Sequence, residues 1–119
     1  MKSISMAVVG CGDIAHIRYL YAISHRKEKF QIDAVYDRNP EVCQRTAKEL
    51  GAQAENSLES LLAIAKIDTV IVTTYHPSHA SIAIQCMEAG KNVIVEKPFA
   101  TSSADAQKVL ETAKRTGKL

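Results

Sequence analysis

Cysteine is scarce in this chain, and what there is does not cluster. Cys11, Cys43 and Cys86 are odd in number, lie far apart and form no C-x-x-C pair. This argues against a disulfide framework and against a cysteine metal centre, and reduced thiols fit an intracellular protein. An excess of one charge is missing as well: the net charge is +2 and no basic cluster is present, so neither nucleic acid nor a membrane surface is indicated as a partner. Apolar runs stop at strand length, and none is long enough to span a bilayer. Linkers, internal repeats and low-complexity tracts are lacking. The first residues, Met1 to Met6, run straight into an apolar stretch and leave no room for a signal peptide, so cytoplasm is the expected location. What remains is an ordinary globular composition, 46% hydrophobic and 24% charged. At 119 residues the chain is expected to be one domain, residues 1–119, able to bury a core but short for a complete enzyme.

The strongest local signal is the run Met6-Ala7-Val8-Val9 breaking into Gly10-Cys11-Gly12-Asp13-Ile14-Ala15. It has the form of a buried strand turning tightly into a helix, with the G-x-G-x-x-A spacing of a dinucleotide-binding crossover. Gly10 permits the turn, Gly12 lets a pyrophosphate approach the backbone, and Ala15 keeps helix and strand close. The backbone from Gly10 through Cys11, Gly12, Asp13 and Ile14 then offers N–H groups to phosphate oxygens, where the helix dipole favours negative charge. Cys11 is read as a small apolar filler, with a reactive thiol at a helix N-terminus as the alternative. A second stretch, Phe30 to Tyr36, ends in Asp37, about 20 residues past the turn, where a carboxylate can accept from the adenosine ribose hydroxyls and repel a 2′-phosphate. Asp37 could equally cap the turn Asp37-Arg38-Asn39-Pro40. Arg38 keeps NADP open beside NAD, since a guanidinium there can stack on adenine or bind a 2′-phosphate.

Strand and helix alternate along the rest of the chain. A helix is expected from about Asp13 to Lys27, with Ile14, Ile17, Leu20, Tyr21 and Ile23 near one side. Another runs from Pro40 to Leu50 with Gly51 as its stop, and a short one covers about Ser57 to Ala65, capped by Ser57 or Asn56. Asp68 to Thr73 is a strand buried on both faces. Pro77 opens a helix that stops at Gly90, Asn92 to Glu96 is a strand, and the last helix runs from about Ser102-Ser103 to Gly117. Asp105 with Ser102 and Ser103 marks a helix start, not a serine site. The pattern predicts an α/β fold: a Rossmann-type parallel sheet, helices on both faces, right-handed crossovers, and an incomplete C-terminal end.

Ligands in such folds bind beyond the carboxyl ends of the strands. Three loops qualify: Gly10 to Gly12, Thr73 to His79, and Glu96 to Pro98. Lys97 directly follows a strand, and desolvation beside a cofactor would make it a proton shuttle; a solvated Lys-Pro turn is the alternative. His76 and His79 form a His-x-x-His pair, but no third ligand is apparent nearby, and a metal is not expected. His76 is read instead as capping the helix opened by Pro77, with His79 in its first turn, and His16 and His25 as surface or packing residues.

Four motifs in this order, the glycine turn, Asp37, Thr73-Thr74-Tyr75-His76-Pro77-Ser78-His79 and Glu96-Lys97-Pro98, resemble the N-terminal nucleotide-binding domain of the glucose–fructose oxidoreductase / inositol dehydrogenase (Gfo/Idh/MocA) family. The resemblance covers the whole chain. It implies that Lys97 touches the substrate hydroxyl and the nicotinamide ribose, and that Glu96 lies near the nicotinamide. Thr74 and His79 match the family's Thr-Pro-Asn-x-x-His segment, whereas Tyr75 and His76 replace its proline and asparagine. It further implies NAD as cofactor, with NADP as the alternative. The implied activity is hydride transfer to or from a sugar- or polyol-like substrate, held by a second domain that this chain does not contain. An exposed parallel edge would favour a homo-oligomer. Two other classes remain open: a non-catalytic dinucleotide-sensing module, which has no need of Lys97, and a methyltransferase-like domain, which leaves Glu96-Lys97-Pro98 unexplained.

Overall fold

In the computed structural model, which describes residues 2–119, five parallel strands form one sheet in the order β3-β2-β1-β4-β5. They are β1 (Ile4–Val9), β2 (Phe30–Tyr36), β3 (Gln53–Ala54), β4 (Thr69–Val72) and β5 (Asn92–Val95). The chain starts in the centre, moves outward over one half and returns to build the other. The turn after β1 therefore lies at the point where the strand order reverses. Successive residues of β1 serve opposite faces. Met6 and Val8 pack with Ile32, Val35, Cys43 and Ala47 on one side; Ala7 and Val9 pack with Ala34, Leu61, Val70 and Cys86 on the other. Both faces are covered, which is why β1 and β4 read as unbroken apolar runs.

The register between β1 and β2 slips once: Met6 lies opposite Ile32 and Ala7 opposite Ala34, so Asp33 is an extra residue in β2. The bulge turns this carboxylate toward the hydroxyl of Ser5, which donates to it, and returns Ala34 and Val35 to the core.

The helices follow their local signals. In α2 (Pro40–Leu50) the Asn39 side chain accepts from the Glu41 and Val42 amides, and Gly51 ends the helix in the left-handed region. Ser57 caps α3 (Leu58–Leu62), and Ser102 caps α5 (Ser103–Thr116) by accepting from Asp105. A 3₁₀ turn over His76–Ser78 leads into α4 (His79–Glu88), with no side-chain cap at Tyr75 or Ser78, so His76 does not cap this helix. Lys91 is buried, and its ammonium donates to the carbonyls of Ile64 and Ile67 at 2.8 Å each, pinning the link from α3 to β4. Burial lowers its pKa.

The first helix departs from expectation. It does not reach Lys27: a π-helical segment, Ala15–Leu20, passes into α1 (Tyr21–Ser24) and stops. Ala15 and Leu20, five residues apart, both reach the core, and Ile23 packs against it, as the i→i+5 spacing of a π turn requires. Ile14, Ile17 and Tyr21, expected near one side with Leu20, are exposed. The extra residue in the turn swings that apolar stripe outward.

β3 was not expected. Two residues with one polar side chain carry no readable alternation, and the strand exists because Ala34 and Val35 of β2 offer free partners. Being so short, it leaves little edge to pair with. At the other edge, the Val93 amide of β5 donates to the carbonyl of Leu119, so the C-terminal edge is partly covered by the chain itself. No helix among the described residues is long and apolar enough to cross a membrane.

Candidate functional site

The carboxyl ends of β1, β2 and β4 open into a cavity of about 430 Å³, lined by Val9, Gly10, Gly12, Tyr36, Asp37, Arg38, Leu58, Thr73, Thr74, Tyr75, Ser78 and Ile82. That is the size range of small-ligand sites. Sequence reasoning did not single out Val9, Tyr36, Leu58, Ser78 or Ile82. Val9 and Tyr36 adjoin recognised motifs and Ser78 lies inside one, whereas Leu58 and Ile82 lie on helices and reach the cavity only through the fold.

The two glycines of the turn differ in kind. Gly10 has φ +94°, and a Cβ built on it would stand 2.6 Å from the Thr73 carbonyl oxygen and 2.8 Å from the Thr74 nitrogen. Thr73 closes the contact by donating its hydroxyl to the Gly10 carbonyl at 2.6 Å. A Cβ on Gly12 would meet no described atom within 4 Å. Gly10 is thus required by the packing of two loops, while Gly12 presents bare backbone to the cavity. Such a surface fits a pyrophosphate.

Asp37 does two things at once. One carboxylate oxygen accepts from the Cys11 amide and the other from the Asn39 amide, at 2.8 Å each. It therefore makes the expected turn contact and also ties β2 to the glycine loop, with its carboxylate among the cavity's lining groups. Arg38 beside it is exposed. The Cys11 side chain points into the core, where burial, then the Asp37 charge, pushes its thiol up to about 12. It is a filler and not a reactive thiolate. Asp13 and Ile14 are exposed at the helix start.

The remaining loop residues form a second cluster. His79 is fully buried, with Nδ1 2.8 Å from the Pro98 carbonyl oxygen and Nε2 2.8 Å from that of Thr74. A neutral ring donates to only one of these oxygens, a doubly protonated ring to both. Thr74 shares a hydrogen bond with Ser78 at 2.7 Å, and His76 meets His79 edge-on. Tyr75 and His76 are exposed. The Lys97–Pro98 peptide is cis. Tyr19 donates its hydroxyl to Glu96 at 2.8 Å, which holds the Glu96 carboxyl below its usual range. Lys97 is exposed, and Ile94 in the strand before it is 42% exposed. The desolvation expected around Lys97 is not supplied by these residues, because β5 lies at the sheet edge. Among the described residues no group of three or more His, Cys, Asp or Glu could hold a metal ion.

The family model described as "Oxidoreductase family, NAD-binding Rossmann fold" (GFO_IDH_MocA) matches residues 4–119. The chain belongs to this family. It is an NAD(P)-binding Rossmann domain. An inositol 2-dehydrogenase/D-chiro-inositol 3-dehydrogenase from Halalkalibacterium halodurans is 30% identical over 98% of this chain and 34% of its own length. Among solved structures, the WlbA dehydrogenase of Bordetella pertussis, in complex with NADH and UDP-GlcNAcA, superposes with a TM-score of 0.94 at 29% identity. That match covers 98% of this chain and 36% of WlbA. KijD10, a 3-ketoreductase of Actinomadura kijaniata in complex with NADP and TDP-benzene, superposes at 0.92 and 28% identity, over 99% of this chain and 36% of its own. The chain spans about a third of the length of these relatives. Family members of this type thus occur with NADH and with NADP.

Proposed function

We propose that this domain serves an oxidoreductase that moves a hydride between a nicotinamide dinucleotide and a hydroxyl or carbonyl of a sugar, polyol or related small substrate. The observation that carries the reading is the pairing of a sterically obligatory Gly10 with an open Gly12 beside the Asp37 carboxylate, in one cavity. The pyrophosphate lies over Gly10 to Gly12, against the amides of Gly12, Asp13 and Ile14, since those of Gly10 and Cys11 already donate to Tyr36 and Asp37. Asp37 accepts from the adenosine ribose, and its charge selects NAD over NADP. Thr73, Thr74, Tyr75, His76 and His79 belong to the nicotinamide side, with Glu96 and Lys97 beyond them.

When bound, NAD supplies the hydride acceptor. Lys97 takes the hydroxyl proton on oxidation and returns it on reduction. Lysine suits this because its ammonium gives up its charge readily once water is excluded, unlike a guanidinium. Lys97 stands in solvent here, so the drying wall comes from a second, substrate-holding domain. The protein is further proposed to be cytoplasmic and to self-associate, through a surface other than the two sheet edges, of which one is two residues long and the other partly covered.

Lys97→Met in the full-length protein, assayed by NADH formation over a panel of polyols and aldoses, should lower turnover by roughly 10²–10⁴-fold and leave NAD affinity within a few-fold. Intact turnover with collapsed NAD binding would make Lys97 a cofactor-holding residue and place the base elsewhere.

A further inference from the structure

Lys97 lies between two residues that are each held by a distant part of the chain. Pro98 is met by His79 of α4 through its carbonyl, and Glu96 by the Tyr19 hydroxyl from the π-helical segment, 77 residues away in sequence. β1 and β5 are not neighbours, since β4 separates them. No ladder hydrogen bond therefore relates the glycine turn after β1 to the loop after β5. The Tyr19–Glu96 contact crosses that gap. We propose that Tyr19 is a positioning residue that braces Glu96 and so fixes where Lys97 stands relative to the glycine turn; this rests on the reading of Lys97 given above.

The π turn is what makes the brace possible. Ala15 and Leu20 both reach the core, which leaves Tyr19 half-buried next to Leu20. One residue fewer in that turn would rotate the tyrosine by about 100° on the helix surface. The hydroxyl would then miss β5. The contact is also charge-assisted, with a neutral donor on a carboxylate, and such bonds are stronger than neutral ones. Consistent with the geometry, desolvation and then Glu96 raise the Tyr19 pKa, while Tyr19 is the largest influence lowering that of Glu96.

The test uses the 119-residue chain and begins without cofactor. Amide hydrogen exchange is followed by NMR in the unaltered chain and in Tyr19→Phe, which keeps the ring and removes the hydroxyl. Exchange at the Glu96 amide, which donates to the Val72 carbonyl at 3.0 Å, should quicken about tenfold or more, with Val8 and Val9 of β1 unchanged. Unchanged exchange at Glu96 overturns the brace. Glu96→Gln, a half-buried edge position, provides a second reading should Tyr19→Phe fold poorly. One tyrosine absorbance transition above the ordinary value should move down in Glu96→Gln; a transition that does not move also overturns the proposal. Added NADH then separates this idea from the one beneath it. It should shift the Gly10 to Gly12 amides in both the unaltered chain and Tyr19→Phe, and the Lys97 amide only in the former. No shift at Gly10 to Gly12 in the unaltered chain refutes the dinucleotide reading, whereas the exchange data decide the brace either way. A Lys97 shift that persists in Tyr19→Phe counts against the brace.

Discussion

Replacing Gly10 and Gly12 separately by alanine should divide folding from cofactor binding within one three-residue turn. At Gly10 the new Cβ meets backbone atoms of Thr73 and Thr74 at 2.6–2.8 Å, and φ is +94°. A left-handed conformation costs a non-glycine residue roughly 1–2 kcal/mol, and overpacking adds about 1–3 kcal/mol. Neither obstacle is a flexible side chain that could swing away. The combined loss, about 2–5 kcal/mol, is a large part of the roughly 6–18 kcal/mol that a domain of this length holds at about 0.05–0.15 kcal/mol per residue. At about 4 °C per kcal/mol, the melting temperature of Gly10→Ala should fall by roughly 8–20 °C. At Gly12 the φ is ordinary and the space is open. The melting temperature of Gly12→Ala should therefore stay within a few degrees, and a slight rise is compatible with the lost freedom of the unfolded chain. NADH affinity should nevertheless drop at least about tenfold, a difference of about 1.4 kcal/mol, because the methyl group occupies the surface proposed for the pyrophosphate. Thermal unfolding by circular dichroism and NADH titration by fluorescence read the two effects independently. If Gly12→Ala bound NADH like the unaltered chain, the pyrophosphate would not lie over this turn.

NAD should bind the full-length protein more tightly than NADP, as calorimetry with both cofactors can measure; tighter NADP binding that disappears in Arg38→Ala would reverse the role assigned to Asp37. The 119-residue chain alone should show no useful NADH formation with any polyol or aldose, since holding the substrate against the cofactor supplies about 7–11 kcal/mol of the barrier. Substrate-dependent turnover by the chain itself would sink the two-domain reading. Glu96 is held below its ordinary value of 4.5, chiefly by Tyr19. The unfolded chain therefore takes up that proton first as pH falls. The resulting increment of stability is present above about pH 4.5 and disappears as pH drops through the lower folded value. Denaturant unfolding at pH 5 and pH 3 should show a smaller difference in Tyr19→Phe than in the unaltered chain, and an equal difference would remove Tyr19 as the cause.

The elements that could be read along the chain are those whose causes are local. The apolar run into Gly10-Cys11-Gly12 specifies strand, turn and helix start. Asn39-Pro40, Ser57 and Ser102 open helices by capping backbone amides within three residues, and Gly51 and Gly117 close them. Asp37 was legible as an acid at the end of a strand. What stayed hidden depends on groups far apart in sequence. β3 is two residues that pair only because β2 stands beside them. The π turn is chosen by which side chains the core accepts, so helical periodicity put Ile17 and Tyr21 on the wrong side. The exposure of Lys97 follows from β5 lying at the sheet edge, and strand order is not a property of any segment. The bonds from Asp37 to Cys11, from Tyr19 to Glu96 and from His79 to Pro98 span 26, 77 and 19 residues. Hydrophobic period, turn chemistry and capping act over a few residues and belong to the sequence. Which donor meets which acceptor across the sheet was decided only when packing brought the strand ends together.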